Sequence, residues 1–161
     1  MATELKATET HTNLKAAFAA EAQSNLRYLY FSKLAGVSGR PDIEELFSDI
    51  AEGEAHRAMG LFDYLKRAGD PATGLAVGSS EQNLKSAILQ ETHESTQTYN
   101  GYAETARKDG LDDIADYFDT LARDSKENAS RLQKLSTPLT CASSRGTEAD
   151  TANPVPRPAP P

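Results

Sequence analysis

The sequence predicts an all-α protein built around one four-helix bundle. Apolar residues recur at every third or fourth position in four separate segments, which is the period of an amphipathic helix. No segment alternates as a half-buried strand does. Glycine, proline and capping residues punctuate the chain between the segments.

The first segment carries Leu14, Phe18, Tyr28 and Ala35. Gly36 and Gly39 can supply the positive φ that ends a helix, and Pro41 suits the first turn of the next. The second segment carries Ile43, Phe47, Ile50, Leu61 and Leu65, and Gly69-Asp70-Pro71 stops it. Residues 70–80 form a longer connection rich in Gly and Ser. Ser79 followed by Gln82 reads as a capping box for the third helix, which carries Leu84, Ile88, Tyr102 and Ala106. Asp109-Gly110 is a tight turn into the fourth helix. There Asp112 and Asp113 favour the positive end of the helix dipole, ahead of the apolar positions Leu111, Ile114, Phe118, Leu121, Leu132 and Leu135. Short first and last links make antiparallel neighbours, and the longer middle link allows a crossover between helices 2 and 3. The expected organisation is a flexible N-terminus over residues 1–11, the bundle over 12–136, and a disordered tail over 137–161. That tail holds six of the eight prolines.

Composition narrows the function classes. A chain of 161 residues suits one domain with a real core. A net charge of −7 argues against nucleic acid or an anionic membrane as partner, since both need a basic face. No apolar run is long enough to span a bilayer, and the polar, acid-bearing stretch from Met1 to Thr12 does not read as a signal peptide. Cys141, the single cysteine, leaves no intramolecular disulfide and no Cys-x-x-Cys metal pair. A cytoplasmic location is the expectation.

Carboxylates interrupt the apolar stripes. Glu21 falls on the first stripe, Glu54 and Arg57 on the second, Glu91 and Glu94 on the third, and Ser125 and Asn128 on the fourth. Each interruption lies near the middle of its helix, so an antiparallel bundle is expected to bring them together. Four inward carboxylates must take up protons, pair with cations or bind metal. Hard oxygen donors at this density suit iron, manganese or another divalent ion. The alternative is a protonated glutamate network locked by Arg57 and Asn128.

Four stretches carry a family resemblance. They are LKAAFAAEAQSNLRYLYF (14–31), AEGEAHRAMGLFDYL (51–65) with the GDPATGL that follows, LKSAILQETHESTQTY (84–99) and IADYFDTLARDSKENASRLQKL (114–135). Over residues 12–136 the chain resembles the rubrerythrin branch of the ferritin-like proteins. The resemblance implies a ferritin-like bundle and a di-iron centre with glutamates from the first and third helices and Glu-x-x-His on the second and fourth. It also implies peroxide reduction, a homodimer, and an electron donor that the sequence does not name. Carried over residue by residue, it makes Glu21, Glu54, Glu91 and Glu94 metal ligands and puts Tyr28 and Tyr99 in the metal pocket, as proton or electron carriers or as ordinary core tyrosines.

The departures from that pattern are specific. Arg57 stands at one expected histidine and Asn128 at the other, and Ser125 stands at an expected glutamate. His56 is one residue off the stripe, and Asp124 and Glu127 are displaced likewise. His11 and His93 are expected at the surface. No rubredoxin module is read in the sequence. Two functions remain open at this level. One is a peroxide- or oxygen-linked oxidoreductase holding a single divalent ion or a sub-stoichiometric metal. The other is a non-catalytic structural or accessory subunit that binds a partner and holds no metal.

Overall fold

The computed structural model describes residues 4–136. A single 3₁₀ turn, Leu5–Ala7, leads to Thr8, whose hydroxyl accepts the His11 backbone N–H at 3.2 Å and caps the first helix. Helix α1 runs Glu9–Val37 and so begins inside the segment expected to be flexible. Gly39 takes positive φ (69°) and turns the chain into α2, Pro41–Leu65, with the proline in the first turn as expected. Gly36 plays a different part from the one read in the sequence. It stays helical, and a Cβ there would meet the Glu44 carboxylate at 2.8 Å, so it serves close packing.

Helices α1 and α2 form a tight antiparallel hairpin. Ala51 and Ala58 are buried at the contact and let the two backbones approach. Asn25 donates to the Ala51 carbonyl at 2.7 Å, and Ser32 donates to the Glu44 carbonyl at 3.0 Å. Phe31 stands edge-on to Phe47, and Tyr28 stacks on Phe47 at 5.9 Å between ring centres.

The link at residues 66–79 is a compact folded loop. The Asp70 N–H donates to Leu75 O at 2.7 Å, and the Gly74 N–H donates to Asp70 O at 2.8 Å. One Asp70 carboxylate oxygen accepts the Ala72 and Thr73 N–H groups, and the other accepts the Ser86 hydroxyl at 2.9 Å. Gly69, with φ of 107°, passes so close to Gly74 that a Cβ would lie 2.7 Å from that carbonyl oxygen.

The third rod begins with the predicted capping box. Ser79 accepts the Gln82 N–H, and the Gln82 side chain accepts the Ser79 N–H. It consists of α3, Ser80–His93, a π-helical turn, Glu94–Thr98, and α4, Tyr99–Lys108. The turn at Gly110 (φ 76°) leads into α5, Asp112–Ser136, which packs antiparallel on the third rod. Tyr99 stacks on Phe118 at 6.4 Å, and Arg107 pairs with Asp119.

The class is therefore all-α, with the four rods and the single crossover of a ferritin-like bundle; the described residues contain no strand. None of the described helices is long and apolar enough to cross a membrane. The expected tail, with Cys141, lies outside the described residues. Within one chain, the rods pack as two hairpins, α1–α2 and the α3–α4 rod with α5. Among the described residues, no Cα of α1 or α2 comes within 8 Å of a Cα of α3, α4 or α5. The expectation that all four mid-helix regions meet inside one chain is therefore corrected. Several residues read as core are consequently exposed: Ile50 by 37%, Ile114 by 42% and Leu111 by 45%. Leu65 is the one large side chain fully buried among those described, and the other buried apolar residues are alanines.

Candidate metal centre

The α1–α2 hairpin positions three of the expected polar residues. Glu21 lies on the α1 face toward α2, and Glu54 and Arg57 lie one turn apart on α2. The Arg57 Nε donates to Glu21 Oε2 at 2.9 Å, and its Nη2 donates to Glu54 Oε2 at 2.6 Å. One guanidinium thus bridges both carboxylates. Its side chain is 56% exposed, so the expectation that Arg57 is buried is corrected, whereas Glu54 is buried. A hydrogen bond shared with Glu54, together with the Arg57 guanidinium, holds Glu21 below the ordinary carboxylate range. The same two carboxylates, Glu21 first, raise the already high pKa of Arg57, so its charge is permanent.

The other hairpin uses neutral donors. Gln90 donates to Glu94 Oε1 at 2.5 Å, and Ser125 donates to Glu94 Oε2 at 3.2 Å. Asn128 donates to Glu91 Oε1 at 3.4 Å, a long and weak contact. Glu91 Oε2 is buried and has no hydrogen-bond partner. Burial, with the charges of Glu94 and Glu91 adding to it, pushes the Tyr99 hydroxyl above its ordinary pKa and keeps it a neutral phenol.

The π turn was not legible from periodicity. It puts one extra residue into the helix at Glu94 and rotates everything that follows. Tyr102, read as part of the buried stripe, is 52% exposed, while Ala103 and Ala106 are buried. A signal did exist in the run Ser95, Thr96 and Thr98, residues that compete for backbone hydrogen bonds. Ser95 and Thr96 both donate side-chain hydroxyls to the Thr92 carbonyl. Gln90, four residues before Glu94, was also missed and is a direct partner of that carboxylate.

The structure therefore brings Glu21 to Glu54, and places Glu91 and Glu94 on one face of the other hairpin against Asn128 and Ser125, but it does not unite the two pairs in one chain. Among the described residues, no group of three or more His, Cys, Asp or Glu side chains is placed to hold a metal ion. Tyr99 lies beside the second pair, whereas Tyr28 sits in an aromatic cluster with Phe31 and Phe47. His56, His93, Asp124 and Glu127 are exposed, and His11 is half-buried.

A family model for rubrerythrin matches residues 12–136. The chain belongs to the rubrerythrin family. It is 34% identical over 137 residues to a rubrerythrin of Porphyromonas gingivalis, covering 81% of this chain and 68% of that one. It is 32% identical over 142 residues to rubrerythrin-1 of Clostridium acetobutylicum, covering 81% and 71%. With a rubrerythrin of Nitratidesulfovibrio vulgaris it shares 33% identity over 123 residues, covering 73% and 64%.

Rubrerythrin membership implies iron binding, and the donor set present can be tested against it. A pair of irons does not fit these residues. Arg57 occupies with a fixed positive charge the position where the pattern needs a neutral imidazole, and it already engages both Glu21 and Glu54. Asn128 supplies an amide in place of the second imidazole, and Ser125 a hydroxyl in place of a carboxylate. Among the described residues, Glu91 Oε2 is the one buried side-chain oxygen without a hydrogen-bond partner, and its chemistry suits a cation.

Proposed function

We propose that this rubrerythrin-family protein carries a degenerate carboxylate centre that holds at most one divalent ion, weakly, in place of a di-iron pair. The carrying observation is the Arg57 guanidinium bridging Glu21 and Glu54. It engages both carboxylates of one half of the centre from within the protein and offsets one of their two charges. The other half keeps two carboxylates, one with an unsatisfied buried oxygen, and oxygen donors of this kind accept manganese, iron(II) or magnesium. Any redox use of the centre, with peroxide or oxygen as oxidant, then depends on that single ion. In such a site Gln90, Ser125 and Asn128 would orient the carboxylates, and Tyr99 would supply a neutral phenol beside them.

A second reading, a non-catalytic accessory subunit, is favoured by the same ion pairs, because they satisfy Glu21 and Glu54 without any metal. Metal analysis of the native protein with a peroxide turnover assay separates the readings. One weakly held ion with turnover supports the oxidoreductase. No metal and no turnover in a fully folded sample supports the accessory role. Two tightly held irons with an oxo-bridge absorption band overturn both.

A further inference from the structure

We infer that Glu21 and Glu54 form a structural cation site whose resident occupant is the protein's own guanidinium, Arg57, and that this internal cation, rather than a metal, ties α1 to α2. The ligand class of the site is a planar guanidinium. The inference rests on the reading of Arg57 as the cation held in that half of the centre, and it stands whether or not Glu91 and Glu94 take an ion.

The contact crosses the hairpin as a bridge. Arg57 Nε donates to Glu21 of α1 at 2.9 Å, and Arg57 Nη2 donates to Glu54 of its own helix at 2.6 Å. Two nitrogens of one planar group thus meet carboxylates from two helices, and the positive charge between them relieves their mutual repulsion. An ammonium is a point charge without such a fork. Glu54 is the one charged residue among the buried ones described. Stripped of its cation it becomes an uncompensated buried charge, which is the costly case.

The bridge also sits where the hairpin needs it. Ser32 bonds to the Glu44 carbonyl nearest the Gly39 turn, Asn25 to the Ala51 carbonyl farther along, and Glu21 to Arg57 farther still. The first two are contacts of neutral side chains with backbone; the last is charged on both sides. Ala51 and Ala58 make the buried apolar contact on α2 at this level, and small side chains bury little area. The polar link therefore carries more of the join at the end of the pair that the turn helps least.

Gly53 makes room for the bridge. It lies one turn before Arg57 inside α2, where glycine weakens a helix, and it has no positive φ to account for it. A Cβ built there would lie 3.6 Å from Arg57 Nη1. The guanidinium thus runs alongside bare backbone, and a side chain longer than a methyl would compete for that space. Outward, the Arg57 side chain is 56% exposed, so a site emptied of it is open to a solute cation.

Chemical rescue tests the inference on the full chain at low ionic strength, with chelator in every sample so that no divalent ion contributes. Arg57→Ala should lower the melting temperature by on the order of 5 °C. Low-millimolar methylguanidinium should restore most of that loss, saturably, and should leave the wild type unchanged. Equal concentrations of methylammonium or sodium should restore little, because neither offers a flat pair of N–H donors. Adding Glu21→Gln to Arg57→Ala should abolish the rescue. An Arg57→Ala protein that melts with the wild type overturns the inference. So does a loss that methylguanidinium leaves in place, or a rescue that methylammonium or sodium matches or that survives Glu21→Gln. If Arg57→Ala does not fold, Arg57→Lys keeps the charge without the fork: a melting temperature below the wild type supports the inference, and one equal to it overturns it. Metal analysis of the native protein without chelator is a separate reading. Two tightly held irons would overturn the single-ion centre together with this inference, whereas a failed rescue overturns this inference alone.

Discussion

The two hairpins each carry a pair of glutamates, and they satisfy them by different means. In α1–α2, Glu21 and Glu54 share one guanidinium from the same hairpin, a strong charged contact that offsets one of their two negative charges. In the other hairpin, Glu91 and Glu94 receive only amide and hydroxyl donors, and one oxygen receives none. Oxygens already engaged by arginine are less open to an outside cation than a buried oxygen with no donor. In the proposed centre, one half is engaged by a built-in cation while the other keeps a buried oxygen with no partner.

The largest test of that contrast removes it. Arg57→His, Ser125→Glu and Asn128→His together restore imidazole and carboxylate at the replaced positions. The triple variant should move from no tightly held iron to two ions per centre, read by elemental analysis and by an oxo-bridge absorption band. A folded variant that still refuses iron would show that α5 does not present residues 125 and 128 to the centre.

Single substitutions should then push the halves in opposite directions. Arg57→Gln removes a fixed positive charge from hydrogen-bond distance of Glu21 and Glu54, and should tighten manganese(II) binding by about tenfold. Glu91→Gln removes the unpartnered oxygen and should weaken it by about tenfold, within the usual range for changes around a metal site. Isothermal titration reads both. Equal and same-signed effects would mean that the halves are not chemically distinct.

The sequence disclosed much of this and withheld the rest for physical reasons. The rods, the capping box at Ser79 and the turn at Gly110 are local features, set by residues within a few positions of each other, and they stand where periodicity puts them. What periodicity cannot carry is how far one rod lies from another: the stripes at Ile50 and Ile114 look like core in a one-dimensional pattern, yet both are exposed in a single chain. Likewise the π turn at Glu94–Thr98 leaves the composition of the helix unchanged and shifts only its phase, so Tyr102, which the stripe placed in the core, is exposed and the neighbouring Ala103 is buried.

The smallest effect is on the two ends of the pH range, and it divides the same way. Glu21 is held below its ordinary pKa of 4.5, chiefly by Glu54 and Arg57, so its unfolded form binds protons first as pH falls. Its stabilising contribution is present above about pH 4.5 and is lost as pH drops through the lowered value. Tyr99 is held above its ordinary pKa of 10.0, chiefly by burial, so its contribution is present below about pH 10 and is lost as pH rises through the raised value. The α1–α2 hairpin thus helps set the acid limit, and its partner hairpin the alkaline one. Glu21→Gln should flatten only the acid limb of a melting-temperature profile, and Tyr99→Phe only the alkaline limb. Salt should mute the first more than the second, because Arg57 is half-exposed and its ion pairs are screened, whereas desolvation of the Tyr99 ring is not. If both variants change the same limb, or salt acts on both alike, the hairpins share one electrostatic environment and the contrast between them fails.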